Sequence, residues 1–254
     1  QDGQNLGRVS DFDDGGTMSY HAMRLSAERR AAKGASISGN YTWSHCIGLV
    51  GGTVDQGLSI GSGYPNLSNR DSDRGNCLSS RRHIVNVTAL AESPQFANKT
   101  MRMLATGWRL SGIYRWSTGS YLTVTDGTDR ALNGVGSQRP NQILADVFKD
   151  KSAGPLTQYV NLAAFSLPPL GTENGNLGRA NILSPGTWAF DTALSRIFQI
   201  RERQRLEVRA EAYNILNSFR PGNPATAINN PNTFGQIRTA LDPRILQFAL
   251  KYIF

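Results

Sequence analysis

Two cysteines, three histidines and one aspartate-containing run are the residues of this chain whose types and spacing bear on chemistry at a fixed site. Cys46 and Cys77 are too few for a disulfide framework or a zinc centre of their own. His21, His45 and His83 lie far apart with no metal-ligand spacing, which predicts packed or interfacial rings. The run Asp71-Ser72-Asp73-Arg74-Gly75 opens like a calcium loop, but no Glu follows at the required place, and Arg70 and Arg74 oppose a cation. It reads as solvated loop charges. No nucleophile elbow, phosphate loop or acid pair is found, and nothing gathers Ser, His and Asp into one place. The expectation is a protein that is not an enzyme, with no catalytic residue, metal site or cofactor.

The elements that carry these residues show strict alternation, the mark of strands whose two faces meet different environments. In 35–45, Ile37, Tyr41, Trp43 and His45 share one face, and Ser36, Ser38, Asn40, Thr42 and Ser44 the other. In 108–117, Trp108, Leu110, Gly112, Tyr114 and Trp116 oppose Arg109, Ser111, Arg115 and Ser117, with Ile113 breaking the polar face. Between 188 and 200 the apolar set is Trp188, Phe190, Leu194, Phe198 and Ile200. Arg196 falls on that same face near the strand end, where it can snorkel to an interface.

Segment 205–216 sets Leu206, Val208, Ala210, Ala212 and Leu216 against Arg205, Glu207, Arg209, Glu211 and Tyr213. Charges of alternating sign on one strand face need water or one another, and a polar lumen supplies both. Segment 244–254 places Leu246, Phe248, Leu250, Tyr252 and Phe254 opposite Gln247 and Lys251. Weaker alternation covers 18–29, with His21, Met23, Leu25 and Ala27 outward, and 82–91, with His83, Val85, Val87 and Ala89 outward.

Composition agrees with such strands. The 254 residues are only 39% apolar, with 26 Gly, 8 Tyr and 10 Phe, and mean hydropathy is −0.37. No run of apolar residues is long enough for a transmembrane helix. A membrane β-barrel keeps low mean hydropathy because its lipid-facing residues alternate with polar ones. The net charge of +8 admits an anionic partner, but the Arg residues are scattered and the run Arg201 to Arg205 reads as a turn, so no nucleic-acid partner is expected. The chain opens Gln1-Asp2-Gly3 without a signal-peptide pattern, which suggests a fragment or processed piece.

Connections discriminate among β folds. They alternate between shorter ones (30–34, 92–107, 201–204) and long ones (47–80, 126–187, 218–243). Short turns at one end and long loops at the other are the outer-membrane barrel pattern, and loops this long are unusual in compact soluble domains. The long loops hold Gly51-Gly52, Gly61-Ser62-Gly63 and Asn229-Asn230-Pro231-Asn232, a composition that suits surface turns and mobile lids. Short strands are expected at 120–125 and around Phe234-Gly235-Gln236-Ile237. Two rival readings are a small self-closing outer-membrane barrel of about eight strands, acting as an adhesin or structural protein, and a soluble β-sandwich binding module.

An ordered series of short motifs spans nearly the whole chain: Ser19-Tyr20-His21-Ala22-Met23, Gly39-Asn40-Tyr41-Thr42-Trp43-Ser44, Arg82-His83, Gly107-Trp108-Arg109-Leu110-Ser111-Gly112, Ala212-Tyr213-Asn214-Ile215-Leu216-Asn217 and Phe234-Gly235-Gln236-Ile237, followed by the C-terminal octet. The series resembles the Oar-like group of TonB-dependent outer-membrane receptors. One departure is Cys77-Leu78-Ser79-Ser80, where the family tends to carry an Asp-containing stretch. The resemblance implies an all-β, antiparallel transmembrane barrel segment of about seven meander strands with long external loops. It implies that residues 1–254 are the C-terminal portion of a larger barrel, without the plug domain and N-terminal strands. The implied function is TonB-dependent uptake of a scarce, unidentified external solute in the bacterial outer membrane, with TonB engaged through the missing N-terminal part.

In that frame Gln247, Ala249, Tyr252 and Phe254 resemble the signal read by the barrel-assembly machinery, an edge strand with aromatic anchors. Trp43, Trp108, Trp116 and Trp188 would form the aromatic girdle in outer-membrane lipid, and Arg109, Arg115, Arg205, Glu207, Arg209 and Glu211 would line the lumen. Cys46 ends one strand and Cys77 precedes the next. If those strands are neighbours, a disulfide is geometrically allowed in an oxidising compartment; two unpaired cysteines are the alternative.

Overall fold

The computed structural model describes residues 16–31, 34–49, 66, 68–134, 136, 138–149 and 158–254. Gln1-Asp2-Gly3, Gly51-Gly52 and Gly61-Ser62-Gly63 lie outside them. Seven long strands follow in chain order: β1 (Met18–Ala31), β2 (Ala35–Gly48), β3 (His83–Glu92), β4 (Trp108–Ser117), β5 (Thr187–Arg201), β6 (Gln204–Tyr213) and β7 (Ile245–Ile253). Each pairs antiparallel with its neighbour in sequence, giving one meander sheet, and Gly75–Asn76 adds a short eighth strand beside β2. The all-β antiparallel expectation of about seven meander strands holds. A sandwich does not: the long strands share one sheet, with no second large sheet packed on it among the described residues.

Register converts the alternation of each strand into continuous rows across the sheet. Leu25 stands opposite Tyr41, Tyr41 opposite Val85, Val85 opposite Trp116, and Trp116 opposite Trp188. Further along, Leu110, Leu194, Ala210 and Phe248 form another row. A one-residue slip in any pair would turn a whole strand's apolar set to the other side, so the pattern itself specifies the pairing. Large apolar side chains on this face stay exposed, among them Leu25, Leu110, Leu194, Phe248 and Leu250. Water does not tolerate a patch of this extent on a monomer, whereas lipid requires one.

Strand limits differ from the expectation at one end of β6. Leu216 is not a strand residue: β6 stops at Tyr213 because Asn214 takes a left-handed backbone (φ 48°) and clamps the turn, accepting from the Ser218 amide at 2.9 Å and donating to its carbonyl at 3.0 Å. The connection between β3 and β4 also holds a short helix that alternation does not reveal, α1 (Lys99–Ala105), capped by the Asn98 side chain on the amides of Thr100 and Met101.

The long loops contain the protein's buried core. Val124, Val147, Val160, Ala164, Phe165, Leu177, Ile182 and Phe234 pack together, drawn from the β4–β5 and β6–β7 connections. The described parts of these loops are therefore a packed cap, in place of the mobile lids expected from their Gly, Asn and Pro content. Within the expected strand 120–125, only Tyr121–Leu122 is a strand, paired with Ile182–Leu183. No strand forms at Phe234 to Ile237. Phe234 instead sits fully buried, edge-on to Phe165 at 5.8 Å, in a turn closed by Gly235 at φ 72°, where a Cβ would lie 2.1 Å from the Val160 carbonyl oxygen.

Candidate functional site

The inner face of the sheet is polar and partly self-neutralised. Arg109 donates to Glu92 of β3 at 2.8 Å, and Arg115 bonds Asp191 of β5. Asp191 also accepts the Asn214 amide at 2.8 Å, tying the wall to the end of β6. On β6, Arg209 pairs with Glu211 at 2.6 Å, and Tyr213 donates its hydroxyl to Glu211 at 3.0 Å. Glu207 stands opposite Lys251, and Arg205 opposite Ile253. Small amides and hydroxyls continue the surface toward β1, where Asn86 donates to Asn40 at 3.1 Å. All six lumen residues named from the sequence thus lie on this one face. Glu92 escaped that reading, and so did the pairing of Asp191, a residue of the polar face, with Arg115, because pairing across strands needs the register.

On the opposite face Trp116 and Trp188 are register partners near the loop end, and Trp43 lies opposite His83 one row beyond. Trp108 is paired with Arg196 at the other end of β4. At about 3.3 Å per residue and a tilt near 40°, the run from Trp108 to Trp116 covers roughly 20 Å of membrane depth, close to the apolar band of about 25 Å in such barrels. His83 Nδ1 and the Tyr41 hydroxyl are 2.7 Å apart, His45 Nε2 and Asn76 Oδ1 2.9 Å apart, and His21 stands opposite His45. His45 and His83 are hydrogen-bonded, His21 is exposed beside His45, and no cluster suited to a metal occurs among the described residues.

The cap is held to the wall covalently and by charge. Cys46 at the end of β2 is disulfide-bonded to Cys77, with Cα atoms 5.4 Å apart. Nearby, Asn76 donates to the Ala180 carbonyl at 2.9 Å. Asp73 is not a solvated loop charge: it is buried and bonded to Arg139, whose guanidinium also donates to the carbonyls of Leu177 (2.9 Å) and Ser72 (2.7 Å). The carboxylate is buried because a fully partnered guanidinium neutralises it. The third loop joins through backbone bonds, with Thr125 N donating to Thr226 O at 3.0 Å and Ile228 N to Thr125 O at 2.9 Å. Outside this core the cap carries an open cleft of about 410 Å³, lined by Gln142, Ile143, Leu144, Asn176 and Asn181. Burial pushes the phenol of Tyr159, which packs edge-on to Phe148 at 5.2 Å, above its ordinary pKa.

A meander sheet with an apolar outer face, a charged inner face and a stapled loop cap defines the wall of an outer-membrane β-barrel. The chain belongs to the outer membrane beta barrel domain family, whose model matches residues 1–247. Its place is the bacterial outer membrane. No curated protein and no solved structure matches it. In barrels of this kind short turns face the periplasm and long loops face outside. The cap is therefore external, and α1 and the turns after β1 and β5 are periplasmic.

Proposed function

We propose that these seven strands are part of the wall of a larger, TonB-dependent receptor of the Oar-like group, which takes up a scarce solute and has no enzymatic activity. The observation that carries the reading is the open sheet. Among the described residues β1 pairs only with β2 and β7 only with β6, which leaves two edges unpaired although the wall already carries an ordered external cap. Diameter grows with strand number, and a wall whose inner face is this rich in long charged side chains encloses water or a plug more readily than a side-chain-filled eight-stranded interior.

In this role the cap holds the external binding surface, and the inner charges face the solute path and the plug. The exposed edge of β7, with Gln247 and Ala249 on its inner face and Tyr252 and Phe254 on its outer face, suits capture by the barrel-assembly machinery. The solute itself follows from loop and plug chemistry that no fold-level likeness supplies.

The test is cross-linking of the full-length gene product to TonB in energised cells. Capture of TonB that is lost when the proton gradient collapses is the expected result. A chain that instead migrates as a heat-modifiable, self-closed barrel and never contacts TonB would support the adhesin or structural alternative.

A further inference from the structure

The periplasmic helix α1 has no buried residue, and Met101, Met103 and Leu104 are all exposed. A seven-residue helix is marginal on its own, since nucleation costs more than so few bonds return. Two side chains of the wall hold its C-terminal end. Trp108 Nε1 donates to the Leu104 carbonyl at 2.9 Å, and Arg196 donates to the same carbonyl at 3.1 Å and to that of Met103. A guanidinium at a helix C-terminus meets the negative end of the dipole.

The position of these two residues decides where the helix lies. Trp108 and Arg196 are register partners on the apolar, lipid-facing side of the wall, in the row that continues through Val208 and Leu250. The Arg196 guanidinium also sits 5.2 Å from the Trp108 ring centre and 4.5 Å from that of Phe198. Arg196 was expected to snorkel to the interface; in the structure its charge is held between two rings and two helix carbonyls. The end of α1 is thereby drawn onto the outer surface of the barrel at the periplasmic rim. Lys99 and Arg102 lie on the helix, Arg102 donating to the Phe96 and Ala97 carbonyls at 3.0 and 2.9 Å, and at the same end of the wall Arg201 and Arg203 bracket Glu202 at the β5–β6 turn.

We infer that α1 is a membrane-surface anchor: Met101, Met103 and Leu104 enter the periplasmic leaflet, and the surrounding cations meet phospholipid phosphates. The occupant is lipid because the exposed side chains continue the lipid-facing wall, and because cations beside an apolar cluster match a headgroup boundary. The anchor depends on the outer-membrane placement of the sheet and is independent of transport.

The test uses the full-length protein in vesicles of phosphatidylethanolamine and phosphatidylglycerol. Cys46 and Cys77 are joined as a disulfide, so labelling without reductant leaves them unmodified while an environment-sensitive fluorophore is placed on Met103→Cys or Leu104→Cys. Lipids spin-labelled at shallow depth should quench both probes as strongly as one on Tyr114→Cys, while aqueous iodide should not. Adding Arg196→Gln to Leu104→Cys should abolish the lipid quenching and leave the Tyr114→Cys probe unchanged.

Iodide-accessible probes at 103 and 104 beside a lipid-quenched Tyr114 probe overturn the anchor alone. An iodide-accessible Tyr114 probe overturns the membrane placement with it. Protection found in native outer membranes and lost in pure lipid means that a protein covers the helix, which also overturns the inference. In the unsubstituted protein, bilayer contact should shield Met101 and Met103 from a water-soluble oxidant, and oxidation as fast as in the unfolded chain refutes it.

Discussion

Arg139 and Asp73 meet inside the external cap although 66 residues separate them in sequence. Their contact joins the loop after β2 to the loop after β4, and both side chains are almost wholly shielded from solvent. Removing one partner leaves the other charge buried and alone, which costs about 3–5 kcal/mol at such sites. Arg139→Met should therefore loosen the described part of the 66–80 segment, read as faster proteolysis and faster amide exchange there. Combining it with Asp73→Leu should restore much of the protection. A double variant as labile as the single one would show that the pair does not hold the loop.

The disulfide acts on the same segment by a separate route. A closed loop of this length is stabilised by about 2–4 kcal/mol relative to its open form. Replacing Cys46 and Cys77 by Ser should raise the protease sensitivity of the cap and leave the strand content of the wall, measured by circular dichroism, unchanged.

Phe234 is the largest fully buried side chain of the cap. Phe234→Ala removes its contact with Phe165 and opens a cavity, at a cost of about 3–5 kcal/mol. The expected outcome is exchange of the cap amides at rates well above those of the β4 and β5 amides, which keep their native protection.

The two faces of the sheet predict opposite labelling. Spin labels at Tyr114 and Ala210 should be accessible to oil-soluble quenchers and shielded from aqueous ones in native vesicles, and a label at Ser111 should behave in the reverse way. Aqueous access at Tyr114 and Ala210 would reverse the assignment of inside and outside.

Tyr159 gives the cap an alkaline limit. Burial raises its pKa above the unfolded value near 10, so the folded cap binds a proton that the unfolded chain has already released. Its contribution is complete below that pH and is lost as pH rises toward the folded value. Protease protection of the cap should fall above about pH 10, and Tyr159→Phe should remove that part of the pH dependence.

The wall was legible in the chain because each strand repeats every two residues and a barrel has only two environments to sort. Trp108 to Trp116 on β4 and Leu206 to Ala212 on β6 announce both strand and face, and the strands appear with near-expected limits. The local reading failed where a single residue changes the backbone. Asn214 ends β6 by adopting a left-handed conformation, and its neighbours carry no change of hydropathy pattern to mark it. The helix α1 was hidden for a related reason: seven residues are too few to show a period.

The core of the cap was not legible. It comes from residues such as Val124, Phe165 and Phe234, scattered through loops whose composition suits solvent, and nothing local says that they meet. Charge pairing has the same limit. Arg115 and Asp191 are both visible as polar-face residues, but only strand order and register bring them into contact. Periodicity determined the two-faced wall because that information lies within each strand. Tertiary structure decided the cap, the buried Arg139–Asp73 pair and the hold of Arg196 on α1, because long-range contacts are set by how loops close over the sheet, and no local pattern encodes that closure.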